Sequence, residues 1–119
     1  MQRGIVNPRP QGVQTNMAKQ RPSDGDELEE FAAGLAADMA RRFPPASEAR
    51  TDPGAVHQLK VILEGLSARA VRYHQQHKLG VYKKAKLGNV FRWKLTELGY
   101  SSKFVERATK ELVTRLAIK

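Results

Sequence analysis

The chain contains no cysteine. A disulfide framework, a zinc site built on thiolates and a cysteine nucleophile are therefore excluded, and the absence is consistent with a reducing compartment. The longest apolar runs are only a few residues, too short to span a bilayer, and the first residues have no apolar core of signal-peptide length. We accordingly expect a cytoplasmic protein without a membrane partner.

The sequence also lacks the motifs by which enzymes are usually recognised. It has no glycine-rich phosphate loop, no nucleophile elbow and no convincing acid–base pair. His74 and His77 share a helical face, but a metal site needs three or four ligands and His57 lies about five helical turns away. We therefore expect no enzymatic activity, no metal, no cofactor and no small-molecule substrate.

Acidic residues are scarce outside one segment. Residues 1–22 contain four Lys or Arg and no acid, residues 23–52 contain eight acids and three Arg, and residues 53–119 contain fourteen Lys or Arg and four Glu. The formal net charge of +9 thus arises mainly from the C-terminal part. A positive field of this kind recruits polyanions such as nucleic acid, although a basic composition also serves solubility alone.

The N-terminal segment shows no apolar period. Residues 1–25 combine three prolines, three glycines and scattered polar side chains. We predict a disordered basic arm over this range, followed by a single all-helical domain at residues 26–119. The arm either follows a groove or phosphates, as some extended arms of DNA-binding domains do, or is an untethered tail. Met17 is an alternative start.

Two amphipathic helices are predicted after the arm. The first runs from about residue 26 to 43 and ends at Pro44-Pro45. Its apolar stripe consists of Leu28, Phe31, Ala32, Leu35 and Met39. The second begins at Thr51 or Asp52, and Gly80 lies just past its end. Its apolar face consists of Val56, Leu59, Ile62, Leu63, Leu66, Ala70 and Tyr73.

Residues 78–98 allow three interpretations. We predict a short helix at 81–87, a break at Gly88-Asn89, and a helix at 90–98. Its inward side chains are Val90, Phe91, Leu95 and Leu98. An unbroken helix over 81–98 is nearly as well supported because a lone glycine is tolerated, and a β-hairpin that turns at Gly88-Asn89 is the weakest alternative. Trp93 is expected to be partly buried, because the chain has few large side chains for a core.

The last segment has the pattern of a helix, a tight turn and a second helix. Gly99 can close the first helix in the left-handed conformation, and Ser101 or Ser102 can cap the next one. With Val105, this spacing resembles that of a helix-turn-helix over about twenty residues, although Leu95 occupies a site that is usually filled by a small residue. An αα-hairpin in a plain bundle shows the same pattern and is an equal alternative. The predicted fold is all-α, a small bundle of four to five helices with a helix-turn-helix-like C-terminal pair.

The second helix of this pair carries a basic face. Lys103, Arg107 and Lys110 share it, and the opposite side is apolar, with Phe104, Val105, Ala108, Leu112 and Leu116. Arg107 suits a base edge, and the two lysines suit phosphates. Ser101 and Ser102, with the free N–H groups of the helix start, also suit a phosphate. The full set of predicted nucleic-acid-binding residues is Lys83, Lys84, Lys86, Arg92, Lys94, Ser101, Ser102, Lys103, Arg107 and Lys110.

These patterns predict a small nucleic-acid-binding protein, with DNA favoured over RNA. A homodimer is considered because small helical DNA-binding proteins are often symmetric dimers, although no heptad seam supports it. The alternative is a helical protein–protein adaptor whose basic face meets an acidic partner. A further hypothesis places the acidic first helix against the basic C-terminal surface, where it would compete with a polyanion.

Overall fold

The computed structural model describes residues 24–118. It contains four α-helices and a short 3₁₀ helix (Pro45–Ala49), and within this range it has no strand. The α-helices are α1 (Asp24–Arg42), α2 (Pro53–His77), α3 (Val81–Leu98) and α4 (Ser102–Ile118). The all-α prediction is confirmed. The arm predicted at residues 1–25 lies outside the described residues, except for the last two, which begin α1.

The α-helices form an up-down-up-down bundle. Glu27 near the start of α1 lies 4.0 Å from His77 at the end of α2, so these two helices are antiparallel. Lys84 near the start of α3 donates from Nζ to the carbonyl of Leu116 near the end of α4, at 3.4 Å, so α3 and α4 are antiparallel as well. This topology is a familiar one for four-helix bundles.

The packing partners are mostly not the neighbours in sequence. α1 packs most extensively against α3, α4 packs against both α3 and α2, and α1 meets α2 over a small area. α2 and α3 are consecutive in the chain but lie across the diagonal of the bundle. At one end Lys86 of α3 is 3.5 Å from Glu29 of α1. At the other end the Tyr100 hydroxyl donates to the Phe43 carbonyl at 2.5 Å.

The apolar stripes of the four α-helices meet in one core. The stripe predicted for α1 is buried apart from Phe31, which is partly buried and stacks on Tyr73 with ring centroids 4.1 Å apart. The apolar face predicted for α4 is buried throughout. Two residues that were expected to face inward are instead exposed: Val56 on the edge of α2, and Leu98, which as the last residue of α3 lies at the end of the bundle.

Helix α2 begins as predicted but ends differently. The Asp52 carboxylate accepts a hydrogen bond from the Ala55 N–H at 3.1 Å. That bond, and then the Arg50 side chain, hold the pKa of Asp52 below its usual value. At the other end Lys78, rather than Gly80, takes the left-handed conformation that closes the helix, with φ 52°. Gly80 is extended and precedes α3.

Helix α3 is unbroken, so the predicted interruption at Gly88-Asn89 is wrong, and so is the hairpin. The alternative of one continuous helix over residues 81–98 is confirmed. The reason is packing. A Cβ built on Gly88 would lie 2.6 Å from Cγ2 of Val113, so the glycine allows α3 and α4 to approach closely. Here a mid-helix glycine marks a helix contact rather than a helix end.

Candidate nucleic-acid interface

The turn between α3 and α4 is formed by the residues that the sequence indicated. Gly99 is left-handed, with φ 105°, and its N–H donates to the Thr96 carbonyl at 3.1 Å. Ser101 caps α4, because its side-chain oxygen accepts a hydrogen bond from the N–H of Phe104 at 3.2 Å. Tyr100 is buried between them and stacks on Phe104, with ring centroids 4.5 Å apart. The start of α4 is therefore firmly positioned.

Beyond the turn, α3 and α4 stay together along their lengths. Gly88 faces Val113, and Lys84 reaches Leu116, more than two helical turns away from Gly99 along α3. Helices that cross steeply, as in DNA-binding helix-turn-helix units, would have separated at that distance. The pair thus has the geometry of an αα-hairpin, the second of the two arrangements that the spacing allowed.

Helix α4 presents its basic residues to solvent. Lys103, Arg107 and Lys110 are all exposed on the side opposite the buried face of the helix. Within residues 24–118 no ion pair engages any of them, whereas the neighbouring Glu111 is paired with Arg115 at 3.1 Å. We name Lys103, Arg107 and Lys110 the α4 cationic face. Their side chains are available to an external anion.

The serine pair at the start of α4 is in a different situation. The N–H and the hydroxyl of Ser101 donate to the Glu48 carboxylate, at 2.8 and 2.6 Å. A carboxylate of the 3₁₀ helix therefore occupies the place where a phosphate was expected, favoured by the positive end of the α4 dipole. A phosphate on Ser101 would have to displace Glu48, so the predicted phosphate contact at Ser101 is already occupied by a carboxylate of the protein. Ser102 is exposed.

The basic residues of α3 are partly engaged. Lys86 is paired with Glu29, and Lys94 with Glu97 at 3.4 Å. Lys84 is half-buried and hydrogen-bonded to α4, and Lys83 is also half-buried. Arg92 is exposed, and none of its side-chain contacts within the described range is an ion pair. Glu29 of the acidic first helix thus pairs with Lys86 of α3, and within the described residues no ion pair reaches the α4 cationic face.

Trp93 is exposed, so the expectation that it packs in the core is wrong. Its exposed fraction is 63%. Phe91 and Leu95 fill the inward positions of α3, and a residue midway between them points outward. A continuous helical period through Leu87, Phe91 and Leu95 would have indicated this from the sequence. Around Trp93 runs an open groove of about 840 Å³, the Trp93 groove, lined by Glu29, Lys86, Asn89, Val90, Arg92, Lys94, Thr96 and Ser102.

A second depression lies beside the start of α4. It is a cleft of about 240 Å³ between the 3₁₀ helix, α2 and α4. Phe43, Leu59 and Phe104 give it an apolar floor, and Lys103 and Arg107 of the α4 cationic face stand at its rim. The partly exposed Val56 belongs to this cleft, which sequence reasoning did not anticipate.

No family model, curated protein or solved structure matches this chain. Over the part of the chain that the structure describes, no helix is long and apolar enough to cross a membrane. Over the same residues, no group of three or more His, Cys, Asp or Glu is placed to hold a metal ion.

Proposed function

We propose that this chain is a non-enzymatic nucleic-acid-binding protein, with DNA as the favoured partner, that acts through the α4 cationic face. The observation that carries the proposal is that Lys103, Arg107 and Lys110 are exposed, lie on one face of α4 and form no ion pair with any residue that the structure describes. Cations in such an arrangement release condensed counterions when they meet phosphates, and this release drives sequence-independent binding. Because these side chains stand on a folded helix, binding does not have to order the backbone beneath them, and the entropic cost of association is lower.

The hairpin geometry determines what kind of binding is expected. In a bundle corner α4 exposes one side only, with α2 and α3 on its flanks. Lys103 and Lys110 suit phosphates, and Arg107, whose planar fork can hold guanine through two hydrogen bonds, is the best placed by chemistry for a base edge. We therefore propose nonspecific or weakly specific binding in which phosphate contacts predominate.

Helix α3 carries further cations at its surface. Within the described residues Arg92 has no ion pair, and the pairs of Lys86 and Lys94 with glutamates are partly exposed. Exposed pairs of this kind contribute about 0–1 kcal/mol to stability, so exchange of a glutamate for a phosphate costs little. These three residues are proposed as secondary contacts, reached by a nucleic acid that bends around or lies across α3.

A salt titration tests the proposal. If all three cations of the α4 cationic face, Arg107 included, meet phosphates in a nonspecific complex with duplex DNA, the logarithm of the binding constant should fall against the logarithm of salt concentration with a slope of about −2.7. Lys110→Gln should make that slope shallower by about 0.9. Arg72→Gln, which removes from α2 another exposed cation without an ion pair in the described part of the chain, is the matched control and should leave the slope unchanged. Equal changes in both variants would show that net charge, not the α4 cationic face, governs binding.

The cleft beside α4 favours a second candidate function, a protein–protein adaptor for an acidic partner. An apolar floor next to Lys103 and Arg107 fits an acidic segment that carries one large apolar side chain. Val56→Gln separates the two candidates because Val56 is 52% exposed and its loss barely affects the core. Nucleic-acid affinity should be unaltered in this variant, whereas an adaptor should lose its partner.

A further inference from the structure

The most unusual surface feature outside the α4 cationic face is aromatic. Trp93, the single tryptophan of the chain, leaves most of its side chain in water. Tyr82 is 77% exposed and precedes Trp93 by eleven residues, which is close to three helical turns, so both lie on the outer side of α3. Isolated exposed aromatic residues are common and need no function. Tyr82 and Trp93, however, are two exposed aromatic residues on one face of the same helix, about 16 Å apart along its axis, and they can act together.

Polar and cationic residues surround these aromatic side chains. Lys86 and Asn89 lie between Tyr82 and Trp93 on the outer side of α3, and Arg92 and Lys94 line the Trp93 groove. Glu29 is the acidic group in the groove, and it is paired with Lys86. Aromatic rings alternating with cations and an amide are the chemistry that holds unpaired bases and their phosphates together.

We propose that the outer face of α3 binds single-stranded nucleic acid, with an unpaired base stacked on Trp93. The inference rests on the proposed function and specifies its ligand. In a duplex the base faces are covered by neighbouring pairs, so the Trp93 ring has nothing to stack on, and only the cations contribute. A single strand offers both phosphates and free base faces. Tyr82 provides a second platform, Lys86 a phosphate contact between the two rings, and Asn89 an amide for a base edge.

The single tryptophan allows a direct measurement. Titration of the full chain with oligothymidine should quench Trp93 fluorescence, because a stacked base is in contact with the indole ring. An abasic oligonucleotide of the same length has the same phosphates without bases, and it should bind more weakly and cause little quenching. Equal quenching by the two strands would overturn the inference.

The variant Trp93→Leu, followed by the anisotropy of a labelled strand, isolates stacking from charge. Loss of one base–aromatic stack should weaken oligothymidine binding about 5- to 150-fold, with no change for the abasic strand or for duplex DNA. Val61→Ala, which trims an exposed apolar side chain of α2, is the matched control and should bind like the parent. Thermal unfolding of both variants checks that the fold is intact.

The outcomes separate the two proposals. Binding of duplex DNA together with unaltered oligothymidine affinity in Trp93→Leu would leave the proposed function standing and overturn the stacking site. Absence of binding to single strand, duplex and abasic strand alike would remove both. A blue shift of Trp93 emission on concentrating the protein alone, abolished in Tyr82→Ala, would identify the face as a self-association surface and would also overturn the inference.

Discussion

Charges near α1 and charges on α4 are used in opposite ways. Asp38 is a buried carboxylate that accepts hydrogen bonds from three arginines, Arg41 and Arg42 on its own helix and Arg69 on α2. Each of these three arginines is therefore paired with a carboxylate of the protein itself. On α4 the cations Lys103, Arg107 and Lys110 have no ion pair in the described range.

The difference indicates which cations are structural. Around Asp38 the arginines compensate a carboxylate that would otherwise be buried alone, and Arg69 joins α1 to α2 where those two helices pack over a small area. The α4 cationic face takes part in no ion pair within the described residues, and its like charges repel one another. A basic composition alone, which treats all these residues alike, therefore overstates the charge available to a ligand and does not locate it.

The largest expected effect concerns binding. Replacing Arg107 and Lys110 together by Gln should weaken duplex affinity at low salt on the order of tenfold or more, because two counterion-releasing contacts are lost. The free energy of unfolding should change by no more than about 0.5 kcal/mol per site, since both residues are exposed. The matched control is the double variant Arg72→Gln and Lys78→Gln. If it loses as much affinity in an anisotropy titration, the contrast between the two regions fails.

A substitution at Asp38 is expected to affect stability rather than binding. Asp38→Asn should lower the free energy of unfolding by about 1–3 kcal/mol, because a buried charged acceptor of several hydrogen bonds is replaced by a weaker one. Urea unfolding measures the loss, and nucleic-acid affinity should remain that of the parent. Glu64→Gln, which neutralises an exposed acid of α2, should stay within about 0.5 kcal/mol. Equal stability of the two variants would show that the arginine cluster is only a surface feature.

Substitutions at two mid-helix glycines test how closely α3 and α4 pack. Among the described residues, no atom outside the adjoining backbone of α2 and the two chain neighbours lies within 4 Å of a Cβ built on Gly65, so Gly65→Ala should stabilise the protein by about 0.5–1 kcal/mol. The same substitution at Gly88 meets the stiff side chain of Val113 and should be destabilising despite its gain in helix propensity. Adding Val113→Ala should recover the loss. Stabilisation by Gly88→Ala alone would mean that α3 and α4 are not closely packed there.

The smallest effect is expected where the two regions meet. Glu48 extends from the acidic half of the chain to the start of α4, beside Lys103 and Arg107. Glu48→Gln removes that negative charge and should tighten nucleic-acid binding a few-fold. The effect is small because the interaction between two solvent-exposed charges is worth about 1 kcal/mol or less.

Tyr100 reports on the same substitution. Burial, and to a smaller extent the nearby Glu48 carboxylate, together raise the pKa of the Tyr100 hydroxyl to about 12. Stability should therefore fall as the pH rises from about 10 towards 12, where the unfolded chain loses this proton more readily than the folded one. In Glu48→Gln the pKa of Tyr100, followed by ultraviolet absorbance, should move towards its usual value. An unchanged pKa and unchanged binding would place Glu48 outside the electrostatic reach of this surface.

Much of the fold could be predicted from the sequence, because α1, α2 and α4 have clear apolar periods and local end signals. In α1 the periodic positions Leu28, Leu35 and Met39 are buried, and in α4 so are Val105, Leu112 and Leu116. The error at Gly88 has a physical origin: a glycine at a helix end and a glycine at a close helix contact look alike until the facing residue is known. That residue, Val113, is distant in sequence, and no local rule identifies it.

The candidate site could also be predicted in part. The side of α4 that carries the basic residues follows from its period, and their exposure agrees with it. The engagement of Ser101 by Glu48 depends on a contact between residues more than fifty positions apart, which composition cannot reveal. Whether the α4 cationic face binds nucleic acid stays a prediction.

The diagonal placement of α2 and α3 bears on how the chain reaches its native state. The α3–α4 hairpin closes over a short turn, whereas α1 finds its main partner only after all of α2 has intervened. We expect the hairpin to form early and α1 to dock late, because distant contacts carry a larger loop-closure cost. Leu35→Ala should then accelerate unfolding with little change in the folding rate, and Leu95→Ala should slow folding. Slow refolding of the Leu35→Ala variant in stopped-flow measurements would reverse that order, and with it the view of α1 as the last segment to be captured.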